Sequence, residues 1–143
     1  MDLYAFVFAA MRLLSPSPST EIASAIAQVV ADEPPLFRGD DDKRKTAGLI
    51  VAVAFRESSF RNDVASGTND HCLMQVHDRP ELASDVVECV RVGIRMLRES
   101  MHVCASSPLA FYAEGPRGCS SERAQRISRD RLSLAQRLVA RVQ

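Results

Sequence analysis

TAGLIVAVAFRE, residues 46–57, is a nearly unbroken apolar run that ends on a carboxylate, and its reading decides the fold. Val and Ile would suit a strand, but the length of the run and its alanines favour a helix. A helix that is apolar on every side belongs inside the molecule, so this segment is expected at the centre of an α-helical core. Ile50, Val53, Ala54 and Glu57 follow the i, i+3, i+4, i+7 spacing of one helical face. Glu57 is therefore aimed where apolar side chains point. The competing reading pairs it with Arg56 or Arg61 at the surface. A carboxyl at the C-terminal end of a buried helix is penalised for ionising twice, by desolvation and by the negative end of the helix dipole. Such a group keeps its proton near neutral pH and can give it to a leaving oxygen, as cleavage of a glycosidic bond requires.

Outward from this helix, residues 3–14 read as a first helix, broken by SPSPS. Pro18 suits a first helical position with Ser17 as N-cap, and this second helix is expected to reach about residue 30. DEPPLFRGDDDKRK reads as a loop, RNDVASGTNDH as turns and CLMQVH as a short apolar piece. Residues 85–104 form a helix with Val86, Val90, Ile94, Leu97 and Met101 as its stripe. Pro108 to Tyr112 starts a further element, EGPRGCSS breaks it, and residues 121–142 form an Arg-rich last helix. With 143 residues, 46% hydrophobic and 25% charged, and with no Trp, the chain is expected to be one all-α domain over 1–143.

Formal net charge is zero, yet from Arg117 onward seven arginines face only Glu122 and Asp130. That skew reads either as a solvated face or as a surface docking on something anionic: a wall polymer, nucleic acid or another subunit. The four cysteines have no CxxC spacing, which argues against a zinc site. They permit two disulfides or four buried thiols; of the three pairings, 72–89 and 104–119 close the short local loops. His71, His77 and His102 have no metal-ligand spacing, and no metal or cofactor is expected. MDLYAFVFAAMRLL carries Asp2 in place of a positive n-region and is too short to span a bilayer, so it reads as a buried helix, with no export signal or membrane span expected.

RESSF, then a turn with ASG, then LMQ, then FYAEGP resembles the soluble lytic transglycosylases, a family related to goose-type lysozymes. That family carries Glu-Ser, Gly-Leu-Met-Gln and Tyr-Asn-Ala-Gly in this order; the matches here are Glu57-Ser58, Leu73-Met74-Gln75, and Tyr112 with Gly115. The resemblance covers residues 46–116. It departs at Cys72, where the family has Gly, and at Ala113, where it has Asn. It implies a lysozyme-like fold and cleavage of the β-1,4 bond between N-acetylmuramic acid and N-acetylglucosamine of peptidoglycan. By the same carry-over Glu57 is the catalytic acid, Ser58 or Ser59 orients it, Gln75 binds sugar, Tyr112 lies over the acid and Met74 shapes the cleft floor.

Glycosidases usually use two carboxylates. Asp63 and Asp70 are the nearest in sequence, but they sit among turn residues where Asx-turn roles compete. A single-acid route therefore fits better: the substrate's N-acetyl group supports C1, the muramic 6-hydroxyl attacks, and Glu57 first gives and then takes a proton, leaving a 1,6-anhydromuramyl end. The alternatives are a hydrolytic muramidase, with Asp63 or Asp70 holding water, and a virion component that keeps the fold but has lost turnover. Peptidoglycan lies outside the cytoplasm, so delivery within a phage particle or by a secretion apparatus, met through the Arg-rich C-terminus, would reconcile substrate and sequence. Nucleic acid is the less favoured partner.

Overall fold

A computed structural model describes residues 1–143. The molecule is mostly helical, with six α-helices and one two-stranded antiparallel pair. It is all-α in class. Helix α1 spans Leu3–Leu14, and the side chain of Asp2 caps it by accepting from the Ala5 N–H at 2.7 Å. Helix α2 spans Thr20–Asp32. Its cap is Ser19, whose hydroxyl accepts from the Ile22 N–H at 3.2 Å, and not Ser17. Pro18 therefore precedes the cap instead of opening the helix, which shifts the element two residues later.

Helix α3 spans Asp42–Ser58 and starts four residues before the apolar run. The charged residues that read as loop, Asp42 to Lys45, form its first turn at the surface. Every residue from Thr46 to Ala54 is buried. The one polar side chain among them is satisfied, since the Thr46 hydroxyl donates to the Asp42 carbonyl at 2.8 Å and accepts from the Leu36 N–H at 2.9 Å. The chain then reverses through Ser59 and Phe60, both in the left-handed region at φ 52° and 63°.

Residues 70–77 form a hairpin, of which CLMQVH supplies the turn and the second strand. Strands β1, Asp70–His71, and β2, Val76–His77, pair so that Asp70 stands opposite His77. The tight connection holds Cys72 at φ 68° and Gln75 at φ 53°, a conformation that costs a side-chain-bearing residue about 1–2 kcal/mol. Cys72 is the position where the resembled family has glycine, the residue that meets no such penalty. Here the cysteine is tethered by a disulfide to Cys89 on helix α4, Val86–Val103. A second disulfide joins Cys104 to Cys119. Both are the short-loop pairings, with sequence separations of 17 and 15, and loops of this length each stabilise by about 3 kcal/mol.

Helix α4 buries Val90, Ile94 and Leu97 as the stripe requires, while Val86 and Met101 are half-buried and Cys89, Gly93 and Ser100 complete the inner face. Helix α5, Ala110–Glu114, continues into a 3-10 turn over Gly115–Ser120. Helix α6, Glu122–Arg141, is capped by the Ser121 hydroxyl. Its inner face, with Leu134, Ala135 and Leu138, lies along α3. The approach is close enough that a Cβ on Gly48 would meet Val139 Cγ2 at 2.8 Å and the Ala135 carbonyl at 3.4 Å. One cluster of 32 buried residues unites α1, α2, α3, the hairpin, α4 and α6. No helix is long and apolar enough to cross a membrane.

Candidate active site

A cleft of about 430 Å³ opens where α3 ends. Glu57 enters it from α3, Asp70, Gln75 and His77 from the hairpin, and Met96 from α4. Phe111, Tyr112, Ala113 and Glu114 of α5 close it together with Gly115. A groove of similar size, about 400 Å³, lies between the start of α3 and the outer side of α6; it is lined mainly by Phe37, Leu132 and Val139, and Lys45 is its only charged residue. It holds no carboxyl, whereas the first cleft brings Glu57, Asp70 and Glu114 together.

Glu57 keeps 24% of its side-chain surface exposed. Its pKa is raised, chiefly by burial. Arg131, whose Nη2 lies 3.8 Å from Glu57 Oε1, opposes that rise, and the negative charge of Asp70 adds to it. The partner is neither Arg56 nor Arg61. Arg56 binds Asp130 on α6 at 3.0 Å, and Arg61 faces Asp63 at 3.8 Å. Arg131 also holds Asp130 at 2.9 Å, so its charge is shared between two acids and only partly offsets the burial of Glu57.

Asp70 has the opposite balance. Burial pushes its pKa up, but hydrogen bonds from Thr68, His77 and Ser66 outweigh this and leave it lowered. Its Oδ2 accepts from the Thr68 and Ser66 hydroxyls at 2.7 and 3.2 Å, and its Oδ1 lies 3.1 Å from His77 Nδ1. Three carboxyls thus line one cleft: Glu57 is biased to keep its proton, and Asp70 and Glu114 are biased to stay ionised. Asp63 is outside the cleft and exposed.

The remaining candidates divide. Gln75 and Tyr112 line the cleft. Gln75 Nε2 donates to the Cys72 carbonyl at 2.9 Å, which leaves its amide oxygen free of protein donors. The Tyr112 hydroxyl donates to the Met74 carbonyl. Its phenol pKa is raised well above the ordinary value, by burial first and by Glu57 and Asp70 next, so it remains a donor. Met74 does not form the floor; its side chain is fully buried against Gly93 of α4, and only its carbonyl serves the site. Ser58 and Ser59 do not line the cleft or touch the acid. The Ser58 hydroxyl lies 3.0 Å from the Ala54 carbonyl and 2.8 Å from the Leu73 carbonyl, tying the end of α3 to the hairpin, while Ser59 is the left-handed C-cap of α3. Ala113 lines the wall where the family pattern has Asn, and beside it Glu114 is held by Arg123 at 2.8 Å. Hydrogen bonds from Ser121 and Arg123 keep Glu114 below the usual glutamate range.

Arg131 and the Asp70–His77 pair escaped the sequence reading. Arg131 looked like one more arginine of a basic helix, with nothing local to single it out. No group of three or more His, Cys, Asp or Glu side chains is placed to hold a metal ion. No known protein family, curated protein or solved structure matches the chain.

Proposed function

We propose that the chain is a lysozyme-like lytic transglycosylase that cleaves the β-1,4 bond between N-acetylmuramic acid and N-acetylglucosamine of peptidoglycan, with Glu57 as the acid. One observation carries the reading: a carboxyl with a raised pKa stands at the wall of an open cleft, beside an aspartate held ionised. Environments that push two carboxyls apart in this way assign the acid and its anionic partner. Glu57 gives its proton to the glycosidic oxygen as the C1–O bond breaks. The muramic N-acetyl carbonyl supports C1, and the 6-hydroxyl closes on it to form the 1,6-anhydro end. The carboxylate left on Glu57 is one acceptor for the hydroxyl proton. Gln75 offers its free amide oxygen to sugar hydroxyls, and Tyr112 braces the Leu73–Gln75 turn against α5.

Asp70 and His77 in the same cleft favour a second reading, hydrolysis by water in place of the muramic hydroxyl. The two disulfides support a working place outside the reducing cytoplasm. A virion or secretion-apparatus protein that meets the exposed arginines of α6 would bring the enzyme to the wall.

The test is mass spectrometry of muropeptides from purified sacculi. Anhydro products, one water lighter than reducing ends, are expected from the wild type and none from Glu57→Gln. Reducing ends from the wild type would replace transglycosylation by hydrolysis. An inert wild type that still binds sacculi would leave a binding module.

A further inference from the structure

The reading above lets Glu57 take back the proton of the attacking hydroxyl. We propose instead that His77, oriented by Asp70, is the base of that second step. The inference rests on glycan cleavage at Glu57 and deepens it.

The geometry is that of an imidazole held by a carboxylate. Asp70 and His77 are directly opposed residues of the strand pair, so the backbone ladder sets their separation. An ionised Asp70 can only accept, so the contact between Oδ1 and His77 Nδ1 at 3.1 Å requires the proton on Nδ1. The neutral ring then carries its lone pair on Nε2. No protein group hydrogen-bonds that nitrogen, and 70% of the His77 side chain is exposed where it lines the cleft.

Asp70 itself is poorly suited to be the base. Both its oxygens are engaged, Oδ1 by His77 and Oδ2 by two hydroxyls. A carboxylate stabilised by three donors resists protonation, but it can fix a ring and stabilise the imidazolium that forms, as in hydrolytic triads. Glu57 from α3 and Glu114 from α5 line the cleft with His77, and α4 contributes the uncharged Met96.

The step balances without any further reactant. Glu57 donates its proton to the departing glycosidic oxygen as the C1–O bond breaks. The muramic 6-hydroxyl, or water, forms the new O–C1 bond and gives its proton to His77 Nε2. The resulting Glu57 carboxylate and His77 imidazolium then exchange one proton through solvent and restore the starting state.

The experiment compares full-length wild type, His77→Gln, His77→Ala, Asp70→Asn and Glu57→Gln on purified sacculi, with kcat/KM followed against pH. His77→Gln is expected to lose 10²- to 10⁴-fold in turnover, the usual worth of a general base, with an unchanged melting temperature because the ring is exposed. It also loses the acid-side fall of the wild-type profile, since no imidazole remains to protonate. Added imidazole restores part of the activity of His77→Ala. Asp70→Asn is impaired, and combining it with His77→Gln costs little more than His77→Gln alone. Wild-type turnover in His77→Gln with the acid-side fall intact overturns the base assignment while leaving Glu57 in place. Full activity in Glu57→Gln, or no cleavage by the wild type, instead overturns the underlying reading and the base with it.

Discussion

Two of the glutamates at the C-terminal ends of helices differ most in their surroundings, Glu33 as the C-cap of α2 and Glu57 one residue before the end of α3. Helix dipoles disfavour both charges. At Glu33 the structure answers in full: only 8% of the residue is exposed, and Arg95 reaches it at 2.9 Å with Arg98 and Arg91 at 3.8 and 3.9 Å. Its backbone carbonyl also accepts from the Lys43 ammonium at 2.6 Å. At Glu57 a single arginine stands 3.8 Å away and is shared with Asp130. The first glutamate is a strut between α2 and α4. The second is left short of compensation at the wall of a cleft, which is the condition a proton donor needs.

The sharpest break between the two is expected from neutral amides. Glu57→Gln loses at least about 10³-fold in turnover, near 4 kcal/mol of barrier, read by muropeptide release. Its stability moves the other way. A carboxyl whose folded pKa is raised binds its proton more tightly in the folded state, so it stabilises fully below its unfolded pKa, near the ordinary 4.5. That contribution is lost as pH rises through the higher folded value. Glu57→Gln therefore melts above the wild type at neutral pH, and the gap closes below about pH 4; a lower melting point at pH 7 would reassign Glu57 as structural.

Helix α4 joins the two regions, since it carries the arginines of Glu33 and, through Cys89, the tether of the hairpin. Replacing Cys72 and Cys89 together by Ser is expected to cost about 3 kcal/mol in denaturant unfolding and to lower turnover with it. Glu33→Gln is expected to cost about 1–3 kcal/mol by the same measurement, with turnover per folded molecule unchanged. Arg131→Met has the smallest effect and the most specific one. Without the guanidinium the pKa of Glu57 rises further, so the alkaline fall of the rate profile moves to higher pH; a shift to lower pH would contradict the placement of Arg131.

Glu57 stood out because helical spacing aims it with Ile50, Val53 and Ala54 and because the motif residues around it carry the resemblance; spacing alone left a surface pair with Arg56 or Arg61 open. The disulfide pairing was legible because one of the three arrangements, 72–89 with 104–119, closes only short loops; that the thiols pair at all was not. The cleft's far wall was not. Arg131 lies 74 positions along the chain from Glu57, and only the packing of α6 on α3 brings them together. Asp70 stood out as a possible second carboxylate, but its pairing with His77 was hidden for a different reason: turn chemistry explains Asp and Asn locally, and a register of two paired residues leaves no periodicity to detect. The carry-over misplaced Met74 and Ser58 because a motif conserves a backbone path as readily as a side-chain task. Met74 contributes a carbonyl to Tyr112, and Ser58 a brace to Leu73.

Gly48 gives the bare patch on α3 a reach beyond its own neighbourhood. It sits roughly two and a half helical turns from Glu57, under the point where Val139 crosses. A methyl group there would meet Val139 Cγ2 at 2.8 Å, so that side chain or its helix would have to shift. The absent side chain at Gly48 thus lets α6 lie close on α3, and α6 is the helix that carries Arg131 to Glu57.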